Sequence, residues 1–154
     1  MDNRSSLNPK SYHLDLSKYR FEHAEEEVNI SKELLENGHV NTSVSRSYYA
    51  IFYALLAVTE LEGFEAAKHS AVISYFTFHY LRTKIFDGKL SKLIDAAFKL
   101  RRNADYEGFF LVSEDDAQKQ INDAEKIINA IRPYLQSRWA EMEEKIGITE
   151  ANNA

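Results

Sequence analysis

Cysteine is absent from this sequence, which excludes a disulfide framework and any thiolate metal site. Proline occurs 2 times and glycine 5 times, so the chain can hold few sharp turns. Long hydrophobic runs are missing too. The longest, Tyr48–Val58, falls well short of the ~18–20 apolar residues of a membrane span, and no membrane partner is expected. The opening residues, MDNRSSLNPK, lack the apolar centre of a signal peptide, which leaves a cytoplasmic location as the expectation. There is no P-loop, no GxGxxG, no HExxH and no nucleophile elbow. His13, His23, His39, His69 and His79 form no pair at helical spacing. ExxH occurs once, as Glu36–His39, without the second glutamate-rich copy of a di-iron bundle. Neither a metal site nor a cofactor is expected.

What remains suits one soluble domain. A chain of 154 residues with 44% hydrophobic content can bury a proper core. The net charge of −5 argues against indiscriminate nucleic-acid binding, but the charge is unevenly spread. Glu22, Glu25, Glu26, Glu27, Glu33 and Glu36 make the early chain acidic. Between Arg82 and Arg102, seven cations face only Asp87 and Asp95, and from Glu114 the chain is acidic again. That basic middle is either a solvated helix face or the approach to an anionic ligand.

Residues 1–17, with Asn8–Pro9 and no helical period, read as a mobile N-terminal segment. Ser17 can cap a first helix over 18–37, with Ala24, Val28, Leu34 and Leu35 on one side and Gly38 as its stop. A second helix, 40–61, is apolar on every side from Tyr48 to Val58 and should be buried all round. Arg46, at the edge of that run, either snorkels to water or faces a polar cleft. A third helix over 66–85 carries Lys68, His69 and Ser70 in its first turn. Backbone N–H groups there could hold a phosphate, or the histidine could simply be exposed. A fourth helix spans 89–106. Ser113 with Glu114–Asp116 is an N-cap with an acidic first turn, opening a last helix on which Ala117, Ile121, Ala124, Ile127, Ile128, Ile131 and Leu135 share a face. Pro133 can kink it. The fold class expected is all-α, an up-and-down bundle of about five helices, with one domain over 18–146 and a frayed tail over 147–154. Buried Tyr48, Tyr49 and Tyr53 would need hydroxyl partners, inside the monomer or at a subunit interface.

One stretch breaks local rules. LRRNADYEGFF (Leu100–Phe110) closes the fourth helix with Asp105 at the C-terminal end, where the macrodipole disfavours an anion. Arg101 precedes Asp105 at i,i+4, the weaker order for a helical ion pair. Stretches that defy local preference are often functional.

Two motifs carry a resemblance. SRSYYAIFYAL (Ser45–Leu55) is similar to the NRAYYAxFYAA segment of bacterial HEPN-domain proteins, and LRRNADY (Leu100–Tyr106) resembles their RxxADY signature. Lys68-His69-Ser70 sits where that family has a THxG-like helix start. The likeness covers about residues 18–135. It implies a helical bundle that dimerises, with a cleft around the arginine, in a family rich in ribonucleases and toxins encoded beside a small nucleotidyltransferase. The family's catalytic signature is arginine, four to six residues, then histidine. Here Arg101 matches, but Tyr106 follows the four-residue gap, and no histidine occurs after His79.

That departure has a chemical cost. Metal-free RNA cleavage needs a base that titrates near working pH and a cation for the developing phosphorane. Tyrosine titrates near 10, so Tyr106 would be only ~0.1% ionised at pH 7, and Asp105 beside arginines would be a weak base. The leading expectation is therefore binding of a nucleotide or RNA phosphate by Arg101 and Arg102, with Arg46, Lys68, His69 and Tyr49 in support, in a dimer linked to a toxin–antitoxin or nucleotidyltransferase system. Alternatives are a ribonuclease toxin using Arg101, Asp105 and Tyr106, or a non-catalytic interaction module whose Arg101–Asp105 pair and Tyr106 build the dimer. In a further version Tyr106 accepts a nucleotide from a partner enzyme.

Overall fold

The structure, a computed structural model, describes residues 9–105 and 111–152. Among them are five α-helices and no strand: α1 (Pro9–Glu36), α2 (Val40–Glu60), α3 (His69–Phe76), α4 (Leu90–Asp105) and α5 (Glu114–Asn152). No helix among the described residues is long and apolar enough to cross a membrane.

The first helix starts at Pro9, so residues 9–17, expected as mobile, are helical. Proline suits a helix start, because its fixed φ is helical and its missing N–H would be unpaired there anyway. Ser17 is no cap. It is fully buried, its hydroxyl donates to the Ala57 carbonyl (2.6 Å) and it accepts from the Trp139 indole (2.9 Å). The buried stripe of α1 runs Leu14, Ser17, Phe21, Ala24, Val28, Ser31, a regular 3–4 spacing hidden by its serines. Ser31 and Ser43, both fully buried, each donate to the other's backbone carbonyl at 2.7 and 2.8 Å, which lets α1 and α2 cross closely.

Gly38 ends α1 as expected. Its φ of +82° lies in the left-handed region, with the Gly38 amide donating to Leu35 (3.0 Å) and the His39 amide to Leu34 (2.9 Å). This is the Schellman arrangement, and it turns the chain directly into α2. The second helix is the hub, packing against α1, α3, α4 and α5, with Tyr48, Ile51, Leu55 and Val58 wholly buried. Its end is tied to α1 by polar groups: buried Glu60 lies 2.9 Å from His13 and 3.7 Å from Arg20.

The third helix is shorter than the expected 66–85. It starts at His69 and passes at Thr77 into a π-helical turn that ends at Leu81. Ser113 caps α5 by accepting from the Asp116 amide (3.0 Å). The helix α5 continues through Pro133 and past the expected fray at 147 to Asn152. The two long helices α1 and α5 pack against each other. Lys18 pairs with Glu143, and Trp139 packs edge-on against Phe21 (5.8 Å) besides its bond to Ser17.

Candidate functional site

Leu90, Ile94, Ala97, Arg101 and Ala104 follow one another at 3–4 spacing, and all of them except Arg101 are buried. Arg101 therefore shares the face that α4 turns toward α2. Its neighbour Arg102 lies on the exposed side of the same turn.

Arg101 is held mainly by neutral groups. Its guanidinium lies 4.7 Å from the Tyr48 ring centre and 5.0 Å from that of Tyr49. Nη2 donates to the Tyr49 hydroxyl (3.1 Å), and Nη1 is 3.5 Å from His69 Nδ1. Cation–π contacts and hydroxyl acceptors position a guanidinium without cancelling its charge. The anion within reach is Asp105, with Oδ2 3.3 Å from Nε; yet buried Nε has no aligned hydrogen-bond acceptor. The Asp105 side chain is 50% exposed and also receives a long bond from the Ser45 hydroxyl (3.4 Å). An exposed pair of this kind contributes about 0–1 kcal/mol. Proximity here is ion pairing without a well-formed hydrogen bond. Behind it, the Asn41 amide donates to the Ala104 carbonyl (3.4 Å), one of the open carbonyls at the end of α4.

His69, the first residue of α3, completes the cluster. Its ring stacks on Phe52 at 4.0 Å, and Nδ1 lies 3.1 Å from the Tyr48 hydroxyl. Burial, then the nearby Arg101 charge, hold its pKa below the usual histidine value, so the imidazole is neutral at neutral pH. Burial pushes the Tyr48 hydroxyl above the ordinary tyrosine value, against an opposing pull from Arg101, and it stays protonated. The Tyr48 hydroxyl can donate to Nδ1 or accept from it. The hydrogen-bonding contacts of the His69 ring among the described residues are those at Nδ1.

Of the residues expected at a site, the fold brings together Arg101, Asp105, Tyr49 and His69. Lys68 is exposed next to them, just before α3. Arg46 turns to α1, where it donates to buried Glu27 (3.2 Å) beside His23. Its side chain is about half exposed. Arg102 stands apart on the exposed face of α4, and Tyr106 lies outside the described residues. Tyr48 and Phe52 belong to the cluster and were missed as site residues. Their signal was present, since both fall inside the SRSYYAIFYAL segment, but an apolar run reads as core. Tyr48 and Tyr49 find their hydroxyl partners within one chain, in His69 and Arg101. Among the described residues no three His, Asp or Glu side chains converge on a metal-sized space.

Comparison with known proteins follows the same segments. A family model described as the HEPN domain matches residues 17–134. A protein of Methanocaldococcus jannaschii named "Putative toxin MJ0142" is 28% identical over 117 residues, covering 76% of this chain and 80% of that one. A "UPF0332 protein" of Thermotoga maritima is 29% identical over 113 residues, covering 73% and 86%. A second Methanocaldococcus jannaschii protein, named "Putative toxin MJ0605", is 30% identical over 112 residues, covering 73% and 83%.

Proposed function

The chain belongs to the HEPN domain family, and on that premise we propose that its Arg101 site binds a phosphate group of RNA or of a nucleotide. The observation that carries this reading is the way Arg101 is held. A guanidinium seated on two tyrosine rings, with a tyrosine hydroxyl and a neutral histidine as acceptors, keeps its charge for a ligand. Nε, which has no aligned acceptor among the described residues, provides one arm of a bidentate grip that a phosphate gains by displacing half-exposed Asp105. Exposed Lys68 adds positive charge nearby.

The test is titration of the purified protein with ATP and with a short single-stranded RNA. Charge-assisted hydrogen bonds are worth about 1.5–3 kcal/mol each, so Arg101→Ala should weaken binding at least tenfold. Binding of neither ligand, or wild-type affinity in Arg101→Ala, refutes the reading.

The biological setting proposed with it is a toxin-like protein that works as a homodimer beside a small nucleotidyltransferase. The names of the Methanocaldococcus relatives and the motif resemblance support that setting. Growth arrest on expression, relieved by the neighbouring gene product, is its expected sign.

A further inference from the structure

The first helix carries a second stripe that the bundle does not bury. Its inner side runs through Leu14, Phe21, Ala24 and Val28, while Tyr12, Tyr19 and Ile30 are 40%, 64% and 39% exposed. About two helical turns separate Tyr12 from Tyr19 and about three separate Tyr19 from Ile30, so the three fall on one line. Leu16, His23 and Glu26 lie along it as well. The full series, Tyr12, Leu16, Tyr19, His23, Glu26 and Ile30, alternates steps of four and three. Steps of that kind keep a seam in register with a partner helix, as in a coiled coil. Single exposed apolar side chains are ordinary, but a contiguous set of them marks an interaction surface. We propose that this outward seam of α1 docks a basic amphipathic helix of another protein. The proposal stands apart from the phosphate reading and uses none of the residues around Arg101.

Aromatic rings make the seam a continuous platform. Tyr19 stacks on His23 (6.1 Å), and His23 meets Tyr53 of α2 edge-on (4.4 Å). Tyr53 is only partly buried, so the platform continues onto α2. Tyrosine anchors of this kind carry much of the energy at interfaces. From Tyr12 to Ile30 the seam is about 27 Å long at 1.5 Å per residue, which suits a helix of about three heptads.

Charge decides the occupant. Three cations of α1 are engaged sideways within the bundle: Lys18 pairs with Glu143, Arg20 with Glu60 and Lys32 with Glu125. Asp15, Glu22 and Glu33 are exposed along one border of the seam, and Glu26 stands within it, 3.6 Å from His23. Carboxylates in these places match Lys or Arg on a facing helix, and the one inside the seam fixes its register. Two copies of this face would set acidic borders against each other, and like charges there oppose a homodimer. A bilayer is disfavoured for a related reason, since helices that lie on membranes carry Lys and Arg on their polar side.

The experiment titrates the full chain against labelled synthetic peptides of about three heptads, followed by anisotropy. One has leucine at the seam positions and lysine beside them, a second has glutamate in place of lysine, and a third scrambles the first. The lysine peptide should bind, with the glutamate and scrambled peptides at least about tenfold weaker. Tyr19→Ala should lose at least about tenfold, and should melt near wild type because the ring is largely exposed. Glu22→Lys combined with Glu33→Lys should invert the preference toward the glutamate peptide. Phe78→Ala, which removes an exposed ring from outside the seam, should bind as wild type does. The proposal is overturned if the lysine peptide does not bind, if the scrambled one binds equally, or if Tyr19→Ala keeps wild-type affinity. A preference that does not invert overturns it too. Sedimentation of the chain alone supplies the other check. A wild-type dimer that becomes a monomer in Tyr19→Ala assigns the seam to a second copy and overturns the proposal, whereas the same profile in both supports it.

Discussion

Replacing Asp105 with asparagine removes the carboxylate that lies against Arg101 while keeping the shape of the side chain. The carboxylate oxygen is 3.3 Å from Nε and the side chain is 50% exposed. At that separation two unit charges interact by about 1 kcal/mol in a water-like medium, and exposure keeps the effective dielectric near that limit. A phosphate arriving at Arg101 has to displace this interaction. Removing it should therefore tighten RNA or ATP binding by up to about tenfold at low salt, less as screening sets in. Folding stability should move by less than ~0.5 kcal/mol, because the lost pair is weak and an anion at the end of α4 opposes the helix dipole. The assay is a fluorescence titration at two salt concentrations with a thermal melt as control. Weaker binding by Asp105→Asn would mean that the carboxylate touches the ligand, and unchanged binding would mean that it does not compete; either refutes the reasoning. The same variant separates the two carboxylate roles, since a base at Asp105 would make it inactive.

Other consequences can be measured separately. Ser17→Ala leaves the Trp139 indole without its acceptor under α1, which should cost about 1–3 kcal/mol in urea unfolding at unchanged m-value. His69 makes stability depend on pH in a definite direction. Its folded pKa lies below the ordinary 6.5, so between the two values the unfolded chain binds more protons. Its contribution is complete above about pH 6.5 and is lost as pH falls toward the folded value. Thermal melts from pH 7.5 to 5 should show a smaller decline in His69→Gln than in wild type, and an identical decline would count against the neutral imidazole.

Much of the helical architecture was legible along the chain, for reasons of period and capping. The apolar run of α2 is buried as expected except along Tyr49, Tyr53 and Leu56, which are only partly buried; the 3–4 spacing of α5 shows its inner face, and Gly38 and Ser113 carry the geometry of a stop and a start. Both outer limits were misjudged. Ser17 and Ser31 interrupt the apolar stripe of α1 in sequence, while in space their hydroxyls are satisfied by Ala57, Ser43 and Trp139. Serine reads as polar until its partner is known. Lys18 of α1 likewise pairs with Glu143 of α5, 125 residues away, a contact with no local signature.

The sequence by itself determined that five helices form, the inner face of α5 and that Arg101 stands at an anomalous helix end, because those properties depend on neighbours within one or two turns. It also marked Asp105 as the partner of Arg101, four residues away. Only the tertiary structure decided what else surrounds Arg101. Tyr49 is 52 residues distant in sequence and His69 is 32, and their approach is set by how α2 and α3 pack against α4. The chain has no histidine downstream of Arg101, and the fold places an upstream one, His69, 3.5 Å from its guanidinium. Spacing along a chain can exclude a motif on one helix; it cannot show which side chains three helices bring to one point.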